Sequence, residues 1–336
     1  MKEFLTRLEG YVERAEKRVN EVRREDSLVF PVFTDLHTME LNHETAQRLI
    51  EALRLTVSKI PSNAVINLGD TFNMLGRMIQ IDNDELKARF EELYSAICES
   101  TDLPLINVNG NHDAIGTDFF KPDFWNSIVK GKYGNTSAVY SDEGSYYYLD
   151  IADTRLVVVS LPCDSDLYAE NPTPLWRFGD KQLLWLKSTA LDTDKSVIVL
   201  SHVPFYSNKY YGNPETKLQV WNGSEIKESY VSALCGWIDD IEEASAIFND
   251  FAQKGRLVAC LSGHTHSDSL WRPFESKEKN GNTYTNPLCC YQAVTAATIW
   301  NPYNEFVMDV AVWTPSENTL SLVRVGAGED REIKIL

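Results

Sequence analysis

The chain has no apolar run near the roughly 18–20 residues a helix needs to cross a bilayer, so nothing in it reads as a membrane span. Its opening stretch, MKEFLTRLEGYVERAEKRVNEVRRED, is charged throughout and lacks the uninterrupted apolar core of a secretory leader. Basic residues are in deficit: 32 Lys and Arg against 49 Asp and Glu leave a net charge of −17. A surface that tracks long nucleic acid needs a basic stripe, and this balance argues against one. Cysteines number only six, none at C-x-x-C spacing, and several lie in apolar context such as LVACLSG. They read as reduced thiols of a cytoplasmic protein, not as a disulfide frame or a thiolate metal site. Internal repeats and low-complexity linkers are missing too. What remains is ordinary for a globular chain, with 43% hydrophobic and 24% charged residues over a length that can bury a large core.

Residues 1–26 are expected to form one helix. Leu5, Leu8, Val12, Ala15, Val19 and Val22 recur in alternating steps of three and four, a narrow apolar seam. Two uses fit such a seam: docking on the chain's own domain, or a coiled-coil-like contact between subunits of a homo-oligomer. Residues 27–336 then read as a single domain that alternates apolar strands with helical patterns. Nearly continuous apolar runs at 28–34, 64–68, 103–109, 155–161, 196–201 and 256–262 have the character of buried strands in a layered α/β fold. Helices are expected at 82–100, with Asp82 and Glu85 at capping-box spacing and Leu86, Phe90, Leu93 and Ile97 on one face, and at 179–192, with Asp180 as the cap. The segment 305–336 reads as two alternating strands around the turn Pro315–Asn318, with REIKIL as a third. Between 204 and 239 the chain is aromatic and polar and fits neither pattern. It is expected to be either a lid over a substrate site or an ordinary surface excursion.

Histidine is scarce, six in all, and its placement is what carries chemistry. The first strand runs into Asp35 and His37, the second into Gly-Asp70, the third into Asn111, His112 and Asp113. The fifth runs into His202, and the sixth into Gly-His264-Thr-His266. Only His43 stands apart, as an exposed residue in the first turn of the next helix. In open α/β sheets ligands bind beyond the carboxyl ends of the strands. Carboxylates, imidazoles and an amide oxygen, without thiolates, suit two hard-to-borderline divalent ions and not a structural zinc. The glycines before Asp70, Asn111 and His264 permit the close approach such a site requires.

Taken in order, DLH, GD, GNHD, a lone histidine after a strand and GHTH resemble the calcineurin-like metallophosphoesterase superfamily from about residue 28 to residue 270. The resemblance implies a four-layer α/β/β/α sandwich of two mixed sheets with a dinuclear centre between them. It implies one ion held by Asp35, His37, Asp70 and His266, and a second held by Asp70, Asn111, His202 and His264, with Asp70 bridging. FGDKQLLWLK followed by HVPFY is similar to the branch with cyclic-nucleotide phosphodiesterases and purple-acid-phosphatase relatives. Purple acid phosphatases carry a tyrosine ligand three residues after the bridging aspartate, where this chain has Asn73, and the protein Ser/Thr phosphatases carry an arginine-bearing GDxVDRG, where it has GDTFNMLG. Neither of those readings stands.

The reaction so implied is in-line attack of a metal-bridging hydroxide on a small phosphodiester or phosphomonoester. His112 is expected to act as general acid, and Asp113 either to orient it or to serve structure alone. The ions are expected to be divalent or mixed-valence manganese, iron or zinc. Tyr206, Tyr210, Tyr211 and Trp221 are expected either to stack on a substrate ring or to belong to the core. Two other readings fit less well: a nuclease for short or single-stranded nucleic acid, which the acidic composition disfavours, and a non-catalytic partner-binding scaffold, which the complete ligand set disfavours.

Overall fold

Strand β1 (Leu28–Phe33) is buried along its whole length, as a strand covered on both faces must be. A computed structural model of the chain describes residues 1–38, 40–72, 83–114, 138–142, 144–161, 175–208, 217–221, 226–230, 237–238, 240–279, 282–298 and 301–335. Beside β1 run β2 (Val65–Asn67) and β3 (Leu105–Asn107) in parallel, and on its other side β18 (Val307–Thr314), β19 (Thr319–Gly326) and β20 (Arg331–Lys334) form an antiparallel meander. The second sheet has the order β14-β17-β13-β8-β6-β5-β4. Its centre is parallel: β6 (Thr154–Val158), β8 (Ser196–Leu200), β13 (Leu257–Ser262) and β17 (Tyr291–Val294). Its edges, β4 (Val139–Tyr140) with β5 (Tyr147–Ile151), and β14 (Ser269–Trp271), are antiparallel.

Side-chain alternation along the second sheet explains the layering. Leu156, Val158, Ile198 and Leu200 share one core with Phe30, Val32 and Ile66 of the first sheet. Val157, Val159, Val197 and Val199 point the other way, into a core shared with α5 (Gly179–Trp185) and α6 (Ile241–Ala252). Helices α1 (Lys2–Val22), α2 (Glu44–Lys59) and α3 (Asn83–Thr101) complete the opposite layer, giving helices, sheet, sheet and helices in turn, and α4 (Asn111–Ala114) is a single turn after β3. Among the described residues no helix is long and apolar enough to cross a membrane.

The N-terminal seam is taken up by the chain itself. Phe4, Leu8, Val12, Ala15 and Val19 are buried, packed with β18 and β19, while Leu5 and Val22 are only partly covered. This coverage also overturns the simple alternation expected of the C-terminal strands, because all eight residues of β18 are buried. Phe90, Leu93 and Ile97 lie in the core as their spacing implies, whereas Asp82 of the expected capping pair lies outside the described residues. Asp180 does not cap α5. The cap is supplied from afar: Asp240 accepts from the backbone N–H groups of Phe178 and Gly179 at 2.9 and 2.8 Å. The helix then continues as a π-helical turn, Leu186–Ala190. His43 is exposed as expected but sits one residue earlier than the helix, as its N-cap, accepting from Thr45 N at 3.3 Å.

The stretch 204–239 contains more order than its composition implies. A hairpin joins β10 (Lys217–Trp221) to β11 (Ile226–Tyr230), and β9 (Ser207–Asn208) adds to β15 (Ser276–Lys279) and β16 (Asn282–Thr285) as a small third sheet. A parallel pair, β7 (Leu175–Trp176) and β12 (Trp237–Ile238), closes the segment.

Candidate metal centre

The carboxyl ends of β1, β2 and β3 from one sheet and of β8 and β13 from the other meet at one place between the sheets. Backbone bonds lace these ends together. Asp35 N donates to Gly69 O at 2.9 Å, His37 N to Asp70 O at 3.0 Å, and Gly263 N to His202 O at 3.0 Å. To turn this sharply the chain adopts left-handed backbone at five of the expected ligands, Asp35, His37, Asp70, His264 and His266, with φ from 47° to 69°. None is glycine, so each conformation carries strain that only a well-determined surrounding sustains. Two glycines are forced by proximity. A Cβ on Gly110 would fall on the Asp70 backbone nitrogen and Oδ1, and one on Gly263 would fall on Thr34 Oγ1 and stand 2.7 Å from Asp35 Oδ2.

All seven expected ligands are brought together. One ligand atom from each of Asp35, His37 and His266 lies within 4.8 Å of the others, Asp70, His202 and His264 form a second such group, and His37, Asp70 and His112 form a third that overlaps both. In the first, His37 Nε2 and His266 Nε2 are 2.9 Å apart, and Asp35 Oδ1 stands 3.5 and 3.2 Å from them. In the second, His202 Nε2 is 3.1 Å from Asp70 Oδ2 and 3.0 Å from Asn111 Oδ1. Asp70 Oδ2 reaches toward both groups, since it is also 3.9 Å from His37 Nε2.

The protonation pattern fits a pocket built for positive charge. Burial alone would lower the His202 pKa, but the Asp70 carboxylate, by charge and by hydrogen bond, pushes it up to about 9. Its Nδ1 donates to Leu68 O at 2.8 Å, which leaves Nε2 as the ligand atom once the second proton has gone. Burial, reinforced by the charge of His202, drives His264 down to about 3, so that ring is neutral. Asp35 stays ionised against its burial because His266 and His37 hold its pKa well below the usual carboxylate range. Yet Asp35 Oδ1 is buried and accepts no hydrogen bond, while Oδ2 accepts from Thr34 Oγ1 at 2.7 Å and His264 N at 3.0 Å. A buried carboxylate oxygen with only poorly aligned imidazole neighbours is costly, and a cation shared with those two imidazoles would remove the cost. The donor set therefore fits two divalent cations.

The other expected site residues fall out differently. His112 closes the pocket: its N–H donates to Asp70 Oδ1 at 2.7 Å and its ring meets His37 edge to face at 4.7 Å. Asp113 does not orient it. Both its oxygens are engaged by backbone, Oδ2 by Asp70 N and Gly110 N at 2.9 and 3.0 Å and Oδ1 by Phe72 N at 3.0 Å. Its task is to fasten the β2 turn to the β3 turn. Tyr206 is 5% exposed and packs on Trp271, with ring centroids 4.8 Å apart, which places it in an aromatic cluster of the core. Tyr210 and Tyr211 lie outside the described residues, and Trp221 lies on β10.

The sequence reading missed Thr34 and the buried amides beneath Asp70. Asn67 accepts from Gly69 N at 3.1 Å and donates to Thr71 Oγ1 at 2.6 Å, and Tyr94 donates to the same Thr71 oxygen at 3.1 Å. The one signal for them was an asparagine, Asn67 or Asn107, inside an otherwise apolar strand.

No curated protein sequence matches the chain. Among solved structures, a dimetal phosphatase from Danio rerio superposes with a TM-score of 0.61 at 13% identity, covering 91% of this chain and 98% of that one. That likeness shows a shared fold. A predicted phosphoesterase from Streptococcus pneumoniae, at 10% identity over 93% and 100% of the two chains, and a metallophosphoesterase from Sphaerobacter thermophilus, at 12% over 89% and 88%, give TM-scores of 0.36 and 0.32, too low to carry an argument. The family match is decisive by extent: residues 29–268 fit the calcineurin-like phosphoesterases, a span that takes in every strand end described above. The chain belongs to the calcineurin-like phosphoesterase family, the metal-dependent hydrolases of phosphoric esters.

Proposed function

We propose that the protein hydrolyses a small phosphodiester or phosphomonoester, with Asp35, His37, Asp70 and His266 holding one divalent cation and Asp70, Asn111, His202 and His264 the other. The observation that carries this reading is the gathering of the ligand atoms into overlapping groups, with Asp70 linking that of Asp35, His37 and His266 to that of His202 and His264. When bound, the cations supply Lewis acidity, drawing charge from the phosphoryl oxygens and acidifying water.

The protein's own groups do the rest. Asp35 and Asp70 bring too little negative charge to neutralise two divalent ions, so the pocket stays positive inside a chain of −17 and draws a small anion. Screening over about 8 Å keeps that local attraction from being cancelled by the acidic exterior, which still repels long polyanions. His112 is anchored through its backbone on Asp70, and its buried Nδ1 has no hydrogen-bond partner. The imidazole stands beside His37 and Asp70 at the pocket, where it would pass a proton to the departing oxygen. Asn111 contributes a neutral oxygen, which fixes position without lowering the positive charge further.

The test is a hydrolysis panel of nitrophenyl phosphate, bis-nitrophenyl phosphate and cyclic nucleotides, with and without added manganese, alongside elemental analysis of the protein as isolated. Metal-dependent turnover of at least one ester, abolished together with metal content in Asp70→Asn, is the expected result. A protein shown to carry its ions but inert toward every ester overturns the reading.

A further inference from the structure

Asp268 lies two residues beyond His266 and outside the expected ligand set. Its carboxylate binds four groups from across the fold. Oδ1 accepts from Ala296 N at 3.1 Å and from Arg324 Nη2 at 2.7 Å and lies 3.3 Å from Arg331 Nη1, while Oδ2 accepts from Tyr303 OH at 2.8 Å. Arg324 is completely buried, and its Nε stands 2.9 Å from Asp309 Oδ1, also completely buried. Arg331 pairs with the other oxygen of Asp309. Two arginines and two aspartates thus form a neutral cluster in the interior. Three of the four sit on β18, β19 and β20 of the first sheet, and only Asp268 belongs to the loop that follows β13 of the second.

That loop holds two left-handed ligands, His264 and His266, with φ of 69° and 57°. Strain of this kind persists only where the ends of the segment are pinned. The near end is pinned by Asp35, which accepts from His264 N at 3.0 Å, and by the Gly263 bond to His202 O. The far end is pinned by Asp268.

We infer that Asp268 is a positioning residue for the metal centre, and that the buried Arg324 and the partly buried Arg331 act through it to hold His266 and His264 where a cation needs them. The inference rests on the metal-site reading above. It extends the working site beyond the family match, which ends at residue 268, into the last three strands of the described chain. A buried arginine suits the task because it is always charged and offers several fixed donors, so its partner carboxylate has one well-defined place to sit.

The test compares variants by manganese titration calorimetry of the metal-stripped protein, with thermal melts run in parallel. Asp268→Asn and Asp309→Asn each remove one negative charge from the same buried cluster, but only Asp268 adjoins a ligand. Both are expected to melt earlier than the parent; Asp268→Asn is expected to weaken manganese binding by about 10–100-fold, as for other supports of ligating histidines, and Asp309→Asn, which reaches the ligands only through the arginines, by clearly less. Asp268→Glu keeps the cluster neutral while displacing the carboxylate by one methylene, and is expected to retain the fold and lose at least about tenfold in affinity. It decides the matter if Asp268→Asn does not fold. Parent-like affinity in a folded Asp268→Glu overturns the proposal, as does an equal loss of affinity in Asp309→Asn, which would trace the effect to general destabilisation. A parent protein that binds no manganese sinks the metal site itself, and this proposal with it.

Discussion

At the scale of single residues, the site turns on where protons sit. His112 is expected to matter in proportion to how poor the leaving group is. His112→Ala should slow alkyl phosphoesters by about 10²–10⁴-fold, the usual span for general acid catalysis, and nitrophenyl esters far less. Equal losses on both in steady-state assays would remove the acid role. A second expectation follows from His202. Its folded pKa, pushed up to about 9 chiefly by Asp70 against the lowering effect of burial, exceeds the ordinary histidine value. A raised pKa contributes stability that is complete below about pH 6.5 and disappears as pH climbs through 9. His266, raised by Asp35 despite burial, acts in the same direction. Asp113, pushed up to about 6 by burial and by Asp70, has largely finished its change as this window opens, and what remains acts in the same direction. Metal-stripped protein should therefore melt at lower temperature at pH 9.5 than at pH 6.5, the effect of His202 being at most about 3 kcal/mol. Scanning calorimetry at the two pH values checks this, and an unchanged melt would mean that His202 is not held by Asp70.

The ligands themselves were legible one residue at a time, because a charged or imidazole side chain directly after an apolar strand has few structural excuses. Their supports were not. Asp113 reads like a catalytic neighbour of His112, and only the fold shows that both its oxygens are committed to backbone N–H groups. Arg324 and Asp309 read as the polar face of half-exposed strands, since nothing local announces that Asp268 and Thr295 from the second sheet's side cover them.

At the scale of elements, tight turns and docked helices make separable predictions. Gly110→Ala places a methyl group against Asp70, so the β2 and β3 turns must part. Overpacking of this kind typically costs 1–3 kcal/mol, and here the displaced group is the shared ligand. The variant is expected to lose both stability and manganese affinity, measured by melts and calorimetry. Leu8→Ala in α1 should behave differently. Leu8 is completely buried against the far side of the first sheet, so its truncation is expected to cost about 2–5 kcal/mol while leaving metal affinity intact. A Leu8→Ala protein that unfolds at the parent's temperature would mean that α1 is not docked as described. Element positions were read well from hydrophobic period, as α3 and the strand runs show. Long-range capping was not, because Asp240 is distant in sequence from the α5 turn it secures, and the hairpin at 217–230 carries no alternation strong enough to betray it.

At the scale of the whole molecule, the proposed centre would join the two sheets through cations as well as through their core. Its expected ligands come from the ends of β1, β2 and β3 and of β8 and β13, so binding would draw on both layers at once. Binding to the folded state alone should raise stability by roughly 4 kcal/mol at a thousandfold excess over Kd, seen as a melting temperature that climbs with manganese and falls on chelation. A melt insensitive to both would show that the sheets do not depend on the centre they enclose.

The pairing of β1 with β18 carries a consequence for how the molecule is made. Leu28 faces Trp313 in that ladder, so a central strand of the first sheet waits for a neighbour that the ribosome supplies long after it. Until then one flank of β1 offers its amides and carbonyls to any passing strand, a hazard for a nascent polypeptide with every metal ligand already synthesised.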